Sequence, residues 1–531
     1  MSRTRGPRTL IWSALSGVVS AAALLAVSEA IAAVIAPQAS PLLAVGSFVV
    51  DVVPRPLKEF AISTFGDNDK LFLLVSLGIA AAIGAALAGF LQYLRAPIGA
   101  ILLAIGGAAA TAAILTRAEA SVLSVIPPVL GTVVGVAVLI MLVSRLRRWA
   151  AASATTIASA DLVAEAEGTA PADPARVNRR SFLLLSGLTA VASVIVGVGA
   201  RVVNAASSSI ESIRDALRLP APASTVAVPA GAELDVPGIS PLFTSNADFY
   251  RVDTALTVPQ VDPDTWKLVI DGMVGTRVEL SFDDLIGMGL DEYIITLTCV
   301  SNEVGGDLVG NARWLGVPVR TLLAKAAPSA DADMVLSRSV DGYTASTPLS
   351  SLTDENVDAI LAVGMNGEPL PLEHGFPVRM IVPGLYGYVS ATKWLTELKV
   401  TTFAQDQAYW TPRGYSAQAP IKMSSRVDTP KLGTAVSAGT VAVAGMAWAQ
   451  GIGISRVEVQ IDDGEWQSAQ LSAAINDDTW VQWMLPWDAS SGTHYISVRA
   501  VDKAGNLQIQ DAAPIAPNGS SGWQRTLVTV T

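Results

Sequence analysis

The 531 residues include one cysteine and two histidines. A single thiol excludes an intrachain disulfide framework and leaves no paired-cysteine metal motif. His374 and His494 both lie in the second half, so the apolar first part offers no bis-histidine haem site. A CxxCH haem attachment, a nucleotide-binding glycine loop and a serine-nucleophile elbow are all missing. Charged residues make up only 15% of the chain, and they are unevenly spread. Residues 1–201 hold 15 Lys+Arg and 10 Asp+Glu; the remainder holds 20 and 36. So acidic a second part argues against nucleic acid, whose phosphates it would repel.

What the first part has is apolar length. Spanning about 30 Å of hydrocarbon takes roughly 20 helical residues. Five stretches qualify or nearly do: Leu10–Ala36, Leu71–Leu94, Pro97–Leu115, Val122–Val143 and Phe182–Ala200. Arginines flank alternate ends: Arg3, Arg5 and Arg8; Arg95; Arg145, Arg147 and Arg148; Arg176, Arg179 and Arg180. The positive-inside rule places these in the cytoplasm, so that residues from about 201 emerge on the outer side. Arg55, Lys58, Lys70, Arg117 and Arg201 run against that bias. Pro41–Val53 is apolar but short, which reads as an interfacial or re-entrant piece. Glu29 is the only acid inside a span; it either sits near a helix end or facing a neighbour, or handles protons or ions. With so few polar residues, the spans read as an anchor or docking surface. Asn178-Arg179-Arg180-Ser181-Phe182-Leu183 reads either as a twin-arginine export signal, suited to a domain that folds around a cofactor before export, or as ordinary positive-inside arginines.

Residues 202–240, rich in Ala, Pro, Ser and Val, read as a linker. Residues 241–415 read as α+β, with short strands at Lys267–Ile270 and Arg277–Leu280 and a Ser281-capped helix start. Residues 416–531 read as all-β, with runs at Thr440–Ala447, Ile454–Ile461, Thr479–Leu485, Thr493–Val501 and Gln524–Val530. Strands at this spacing suggest an immunoglobulin-like β-sandwich. The expected fold is thus an all-α membrane domain of about five transmembrane helices (1–201), an α+β domain and a sandwich.

The sole cysteine, Cys299, follows the β-branched run Ile294-Ile295-Thr296-Leu297-Thr298 and precedes a loop with Gly305, Gly306 and Gly310. It reads as either a small buried hydrophobe or an employed thiolate.

With these residues in view, residues 240–531 resemble the sulfite oxidase family of molybdenum enzymes. The resemblance rests on Phe249-Tyr250-Arg251, Val261–Trp266, Thr298-Cys299-Val300-Ser301-Asn302, Gly310–Trp314, Met365–Pro371, His374–Arg379 and Lys393-Trp394-Leu395, in the family's order. Gly445–Trp448 and Arg456–Val459 resemble its dimerisation domain. The resemblance implies a molybdenum-molybdopterin (Mo-pyranopterin) cofactor, with Cys299 as the thiolate on the metal. It implies that His374, Arg379 and Lys393, with Ser339, hold the pterin phosphate, and that Tyr250, Arg251 and Asn302 sit near the cofactor. It also implies two-electron, oxygen-atom-transfer-type chemistry, a homodimer and a separate electron-transfer partner, since no haem is expected in this chain.

Glu303 and Val304 stand where sulfite oxidases carry substrate-binding arginines, which sets this chain apart from sulfite oxidation. The stretch Tyr409–Tyr415 lies where the family's active-site tyrosine falls, and Arg413 within it could supply a cation. The expected function is a membrane-anchored oxidoreductase acting on a small oxyanion or a sulfoxide outside the cytoplasmic membrane. The alternatives are a sulfoxide reductase of the periplasmic methionine sulfoxide reductase type and a non-enzymatic binding or assembly module. A transporter, with the outer domain as receptor, has the scarcity of intramembrane polar residues against it.

Overall fold

A computed structural model describes residues 7–35, 40–54, 69–117, 120–160 and 209–531, with a few isolated positions between them. The chain divides into two compact units, Met1–Ser209 and Ile210–Thr531.

In the first unit, four helices are long and apolar enough to span a membrane: Thr9–Ile35, Lys70–Leu94, Ile98–Leu115 and Val122–Ala151. They match the first four expected spans; the fifth, and the Asn178–Leu183 motif, fall outside the described residues or almost entirely so. The short apolar helix is Pro41–Val52, whose 12 residues reach only about 18 Å. Small residues bring the helices together. A Cβ on Gly17 would collide with the backbone of Ala85 and Gly89, and one on Gly89 with that of Ser13 and Gly17. Apolar helices in lipid gain from such close backbone approach, because no hydrophobic force drives them together. Two buried hydroxyls of the first helix are satisfied within it: Ser16 donates to Trp12 O at 2.8 Å and Ser20 to Ser16 O at 2.7 Å. Glu29 sits near its helix's end and accepts from Ser40 Oγ at 2.8 Å and Leu42 N at 3.4 Å. It therefore fastens the start of the short helix.

The second unit begins earlier than expected. Residues 210–240 are not a free linker but a strap packed along the unit. Ile210 and Ala232 are buried, Ala223 N donates to Leu290 O at 2.7 Å, and Ser240 N donates to Asp428 Oδ2 at 2.9 Å. Ile210, Leu217, Leu219 and Ala232 pack on the cores of the unit, while Ala221, Ala223, Ala227 and Ala230 stay exposed.

Ten strands follow: β1 (Lys267–Gly272), β2 (Val278–Ser281), β3 (Asp291–Thr298), β4 (Val309–Pro318), β5 (Met334–Ser339), β6 (Thr344–Pro348), β7 (Ile360–Met365), β8 (Glu368–Pro369), β9 (Arg379–Ile381) and β10 (Leu395–Thr401). They form one sheet in the order β2-β1-β10-β5-β6 and a second in the order β3-β4-β7-β8, with β9 on β7. One core joins the two sheets through Leu268, Ile270 and Leu398 on one side and Val317, Leu361 and Val363 on the other. Helix Val319–Ala326 packs into it with Leu322 and Leu323. Ser281 caps the helix Phe282–Ile286 as the sequence indicated, in a reciprocal box with Asp284.

The last nine strands are β11 (Ser424–Thr429), β12 (Ala435–Val436), β13 (Gly439–Trp448), β14 (Ile454–Ile461), β15 (Gln467–Ser468), β16 (Gln470–Leu471), β17 (Val481–Ala489), β18 (Gly492–Asp502) and β19 (Gln524–Val530). They build two sheets, β11-β13-β17-β16 and β12-β19-β18-β14-β15. Val443 and Trp483 from the first meet Val457, Val459, Ile496 and Val498 from the second in one core.

Strand β3 shows how the parts depend on one another. Its residues Ile294–Thr298 are buried without alternation. Its free edge is held by loops of the sandwich: Thr296 N donates to Asp478 O at 3.0 Å, and Asn476 Nδ2 donates to Ile294 O at 3.0 Å. Gln450 Nε2 also donates to Thr296 O. A covered edge cannot pair with another chain, and the strand that carries Cys299 is thereby fixed from both sides.

Candidate active site

Cys299 follows β3 directly. Its N–H donates to Leu308 O at 2.9 Å and its carbonyl accepts from Asn302 N at 3.0 Å, which folds the loop into a tight turn. Asn302 Oδ1 closes the turn by accepting from Leu308 N at 2.9 Å. The thiol is buried, and Ser301 N donates to Sγ at 3.4 Å. Burial pushes the thiol's pKa up; the Ser301 hydrogen bonds and the Lys393 ammonium oppose that shift.

Sγ faces a cleft enclosing about 920 Å³ of empty space, counted out to its mouth. Six of the nine residues singled out from the sequence line it: Tyr250, Cys299, Ser339, His374, Arg379 and Lys393.

The His374–Arg379 segment supplies one wall. His374 Nε2 lies 3.0 Å from Asn246 O, and its ring meets Phe249 edge-on at 5.7 Å. Burial, aided by the Arg379 charge, lowers its pKa to about 4, so it is neutral at pH 7. Arg379 is buried, donates from Nη1 to His374 O at 3.1 Å and lies 5.3 Å from the Trp314 ring centre. Burial lowers its pKa to about 10. Lys393 donates to Asp253 Oδ2 at 2.7 Å and to Glu373 O at 2.9 Å. Burial lowers its pKa to about 8 against the pull of Asp253. Burial also raises the pKa of the Tyr250 phenol.

Two buried groups in this wall have unmet hydrogen bonds. Ser339 Oγ and Arg379 Nε have no partner among the described residues. Orphaned buried polar groups are costly and rare, and here both border a cleft lined by the Arg379 and Lys393 cations. The set fits an anionic ligand rich in acceptors, such as a phosphate, with a soft thiolate beside it for a metal.

Three of the nine lie elsewhere. Arg251 is exposed and pairs with Asp253 at 3.3 Å, behind the lining. Asn302 shapes the cysteine loop but does not line the cleft. Arg413 folds back over the Tyr409 ring at 3.7 Å and donates to Tyr409 O at 2.5 Å. Glu303 is exposed and outside the lining, so its carboxylate does not oppose an anion in the cleft.

Asp253, Asp341, Tyr343 and Tyr388 line the cleft without having been singled out. Asp253 carried a signal, an acid two residues after Arg251. Tyr343 and Tyr388 carried none, because they meet only through folding: Tyr343 OH donates to Tyr388 O at 2.9 Å.

Comparison with known proteins agrees with this site. A family described as the oxidoreductase molybdopterin binding domain matches residues 255–410. A second, the Mo-co oxidoreductase dimerisation domain, matches residues 416–516. The mitochondrial sulfite oxidase of Macaca fascicularis is 32% identical over 326 residues, 52% of this chain and 59% of that protein. The sulfite oxidase of Gallus gallus is 28% identical over 337 residues, 54% of this chain and 72% of that protein. Among solved structures, the sulfane dehydrogenase SoxCD from Paracoccus pantotrophus matches with a TM-score of 0.49 and 22% identity, covering 55% of this chain and 82% of that one. The chain spans 59% of the length of the mitochondrial relatives, and residues 1–201 have no part in these family matches. Residues 255–410 are therefore a molybdopterin-binding oxidoreductase domain and residues 416–516 a Mo-co oxidoreductase dimerisation domain, and together they are similar to sulfite oxidases.

Proposed function

We infer that this chain is a membrane-anchored molybdenum-cofactor oxidoreductase, performing two-electron oxygen-atom transfer outside the cytoplasmic membrane. The observation that carries the reading is the buried set of donors beside Cys299, two of them without a partner. Cys299 Sγ is the thiolate for the metal. Arg379, Lys393, Ser339 and His374 hold the phosphate end, and Tyr250 packs against the pterin. When bound, the cofactor supplies oxygen-atom and electron exchange, chemistry no side chain here can perform.

The protein's own part is electrostatic and steric. The Ser301 N–H and the Lys393 charge favour the thiolate over the thiol that burial would impose. Arg379 and Lys393 neutralise the anionic end. The closed turn from Cys299 to Leu308 holds Sγ still, and Arg251 steadies Asp253 from outside. The domain limits are 241–415 for the cofactor domain and 416–531 for an immunoglobulin-like sandwich. The dimerisation-family match supports a homodimer through that sandwich. Electrons pass to or from a separate partner. The alternating arginines support an outer location, and Arg179-Arg180 supports export of the folded domain.

The test is molybdenum and pterin content per chain in the purified membrane fraction, for wild type and Cys299→Ser. About one molybdenum in wild type, with its thiolate signature lost in the variant, is the expected result. A folded wild type without metal would remove the enzyme reading and leave a binding module.

A further inference from the structure

The turn from Cys299 to Leu308 is held from outside its own domain. Two of its carbonyls accept from the sandwich: Asn302 O from Ser520 Oγ at 2.6 Å, and Gly306 O from Arg426 Nη1 at 2.8 Å. The Gln524 side chain lies so close to Gly305 that a Cβ there would come within 2.7 Å of Cδ. Gln524 is itself fixed, because its Oε1 accepts from Val427 N at 2.7 Å.

The residue before Ser520 reaches the other flank of the thiol. Gly519 has φ +94° and lies against the Tyr386 ring, where a Cβ would come within 2.5 Å of Oη. Glycine adopts that conformation freely and leaves the ring its place. Gly519 O accepts from Lys422 Nζ at 2.5 Å, and Lys422 N donates to Tyr386 Oη at 3.4 Å. Tyr386 is buried in one cluster with Val300. Consecutive residues of one sandwich loop therefore act on Val300, through Tyr386, and on Asn302 directly. Between those two stands Ser301, whose N–H donates to Sγ at 3.4 Å. Asn302 N also donates to Cys299 O at 3.0 Å, so a shift of Asn302 would carry the cysteine with it.

We propose that Ser520, seated by Gly519, is a positioning residue for Cys299, so that the sandwich clamps the turn that presents the thiolate. The clamp is a property of the chain alone; its consequence at the metal rests on the oxidoreductase reading above. Groups that orient a metal ligand from behind matter to the metal, and losing one costs roughly 10–100-fold in affinity. The coupling is reciprocal: a metal held through Cys299 favours the clamped turn and tightens the sandwich against the cofactor domain.

Cys299 is the sole cysteine, so a thiol reagent reports on it alone. The full chain in detergent, from cells grown without molybdate, is labelled with dithiobis(nitrobenzoate). Ser520→Ala should label ~10-fold faster than wild type, as the loss of one hydrogen bond allows. Ser520→Thr keeps the hydroxyl and should restore the wild-type rate. Val498→Ala, in the sandwich core, is the control for lost stability alone and should label at close to the wild-type rate. Gly519→Ala gives a second comparison, with labelling raised as in Ser520→Ala. In molybdenum-loaded protein, Ser520→Ala should shift the thiolate-to-metal absorption and lose molybdenum roughly 10-fold faster on dialysis. A labelling rate raised no more than by Val498→Ala, or an unaltered thiolate absorption in loaded protein, overturns the inference. Failure of the oxidoreductase reading looks different: wild type would take up no molybdenum, and the labelling comparison would still decide the clamp.

Discussion

Lys393 and Asp253 form a 2.7 Å ion pair in which the side chains are 8% and 5% exposed. A pair so buried is held at a desolvation cost, and removing one member leaves the other charge uncompensated. Under the proposed function, the pair also sets how much positive charge Lys393 has to offer a phosphate.

Asp253→Asn should destabilise the second unit by about 3–5 kcal/mol, as expected for an orphaned buried charge. Lys393→Met added to it should recover a large part of that loss. Chemical denaturation of the full chain in detergent, followed by tryptophan fluorescence, reads both. Equal stability of the double and the Asp253→Asn variants would contradict the coupling.

His374 gives a pH dependence with a definite sign. Its pKa falls from 6.5 to about 4 on folding, chiefly through burial. Above pH 6.5 it is neutral in both states and costs nothing. As the pH drops from 6.5 towards 4, the unfolded chain takes up a proton that the folded one refuses, so stability falls. The loss is up to about 3 kcal/mol. Denaturation midpoints across that window should fall more steeply for wild type than for His374→Gln. Parallel curves would show that His374 does not titrate as described.

Arg426 joins both parts of the second unit. It donates to Asp428 Oδ1 at 2.6 Å, Gly306 O at 2.8 Å and Ser240 Oγ at 3.0 Å, reaching from the sandwich to the cysteine loop and the strap. Arg426→Met should cost about 3–5 kcal/mol and leave Asp428 unpaired. It should also lower molybdenum retention, because the loop after Cys299 loses a tether. Full metal content at reduced stability would limit Arg426 to a structural role.

Gly17 and Gly89 sit where two apolar helices come closest. Gly17→Val should push the pair apart and lower the thermal stability of the membrane unit in detergent, by about 1–3 kcal/mol. Cofactor content of the second unit reports whether the change stays local. An unchanged melting profile would mean that the helices adjust without cost.

Much of this was legible in one dimension. Ile454–Ile461 and Gln524–Val530 came out with the same limits in sequence and structure, because their alternating or β-rich runs have one face to bury. Leu71–Leu94 and Pro97–Leu115 read as spans because apolar length is a local property. The strap was misread because Ala- and Pro-rich composition does not say whether a segment finds a surface to lie on. The buried part of β3, Ile294–Thr298, lost its alternation to loops from residues 450–478, a long-range event invisible in its own residues.

The sequence by itself determined the membrane-length helices, the strand pattern and a lone thiol among recognisable motifs, since each is a matter of neighbouring residue types. It also singled out Cys299, His374, Arg379 and Lys393, because motif spacing survives where overall identity is low. Only the tertiary structure decided which side chains share the cleft. It turned Glu303, Arg251 and Arg413 away from the lining, buried Asp253 against Lys393, and gathered Tyr343, Tyr388, Trp410 and Tyr415 from three separate segments. The physical reason is that charge compensation and ring packing act through space, over distances of a few ångström that chain order does not record.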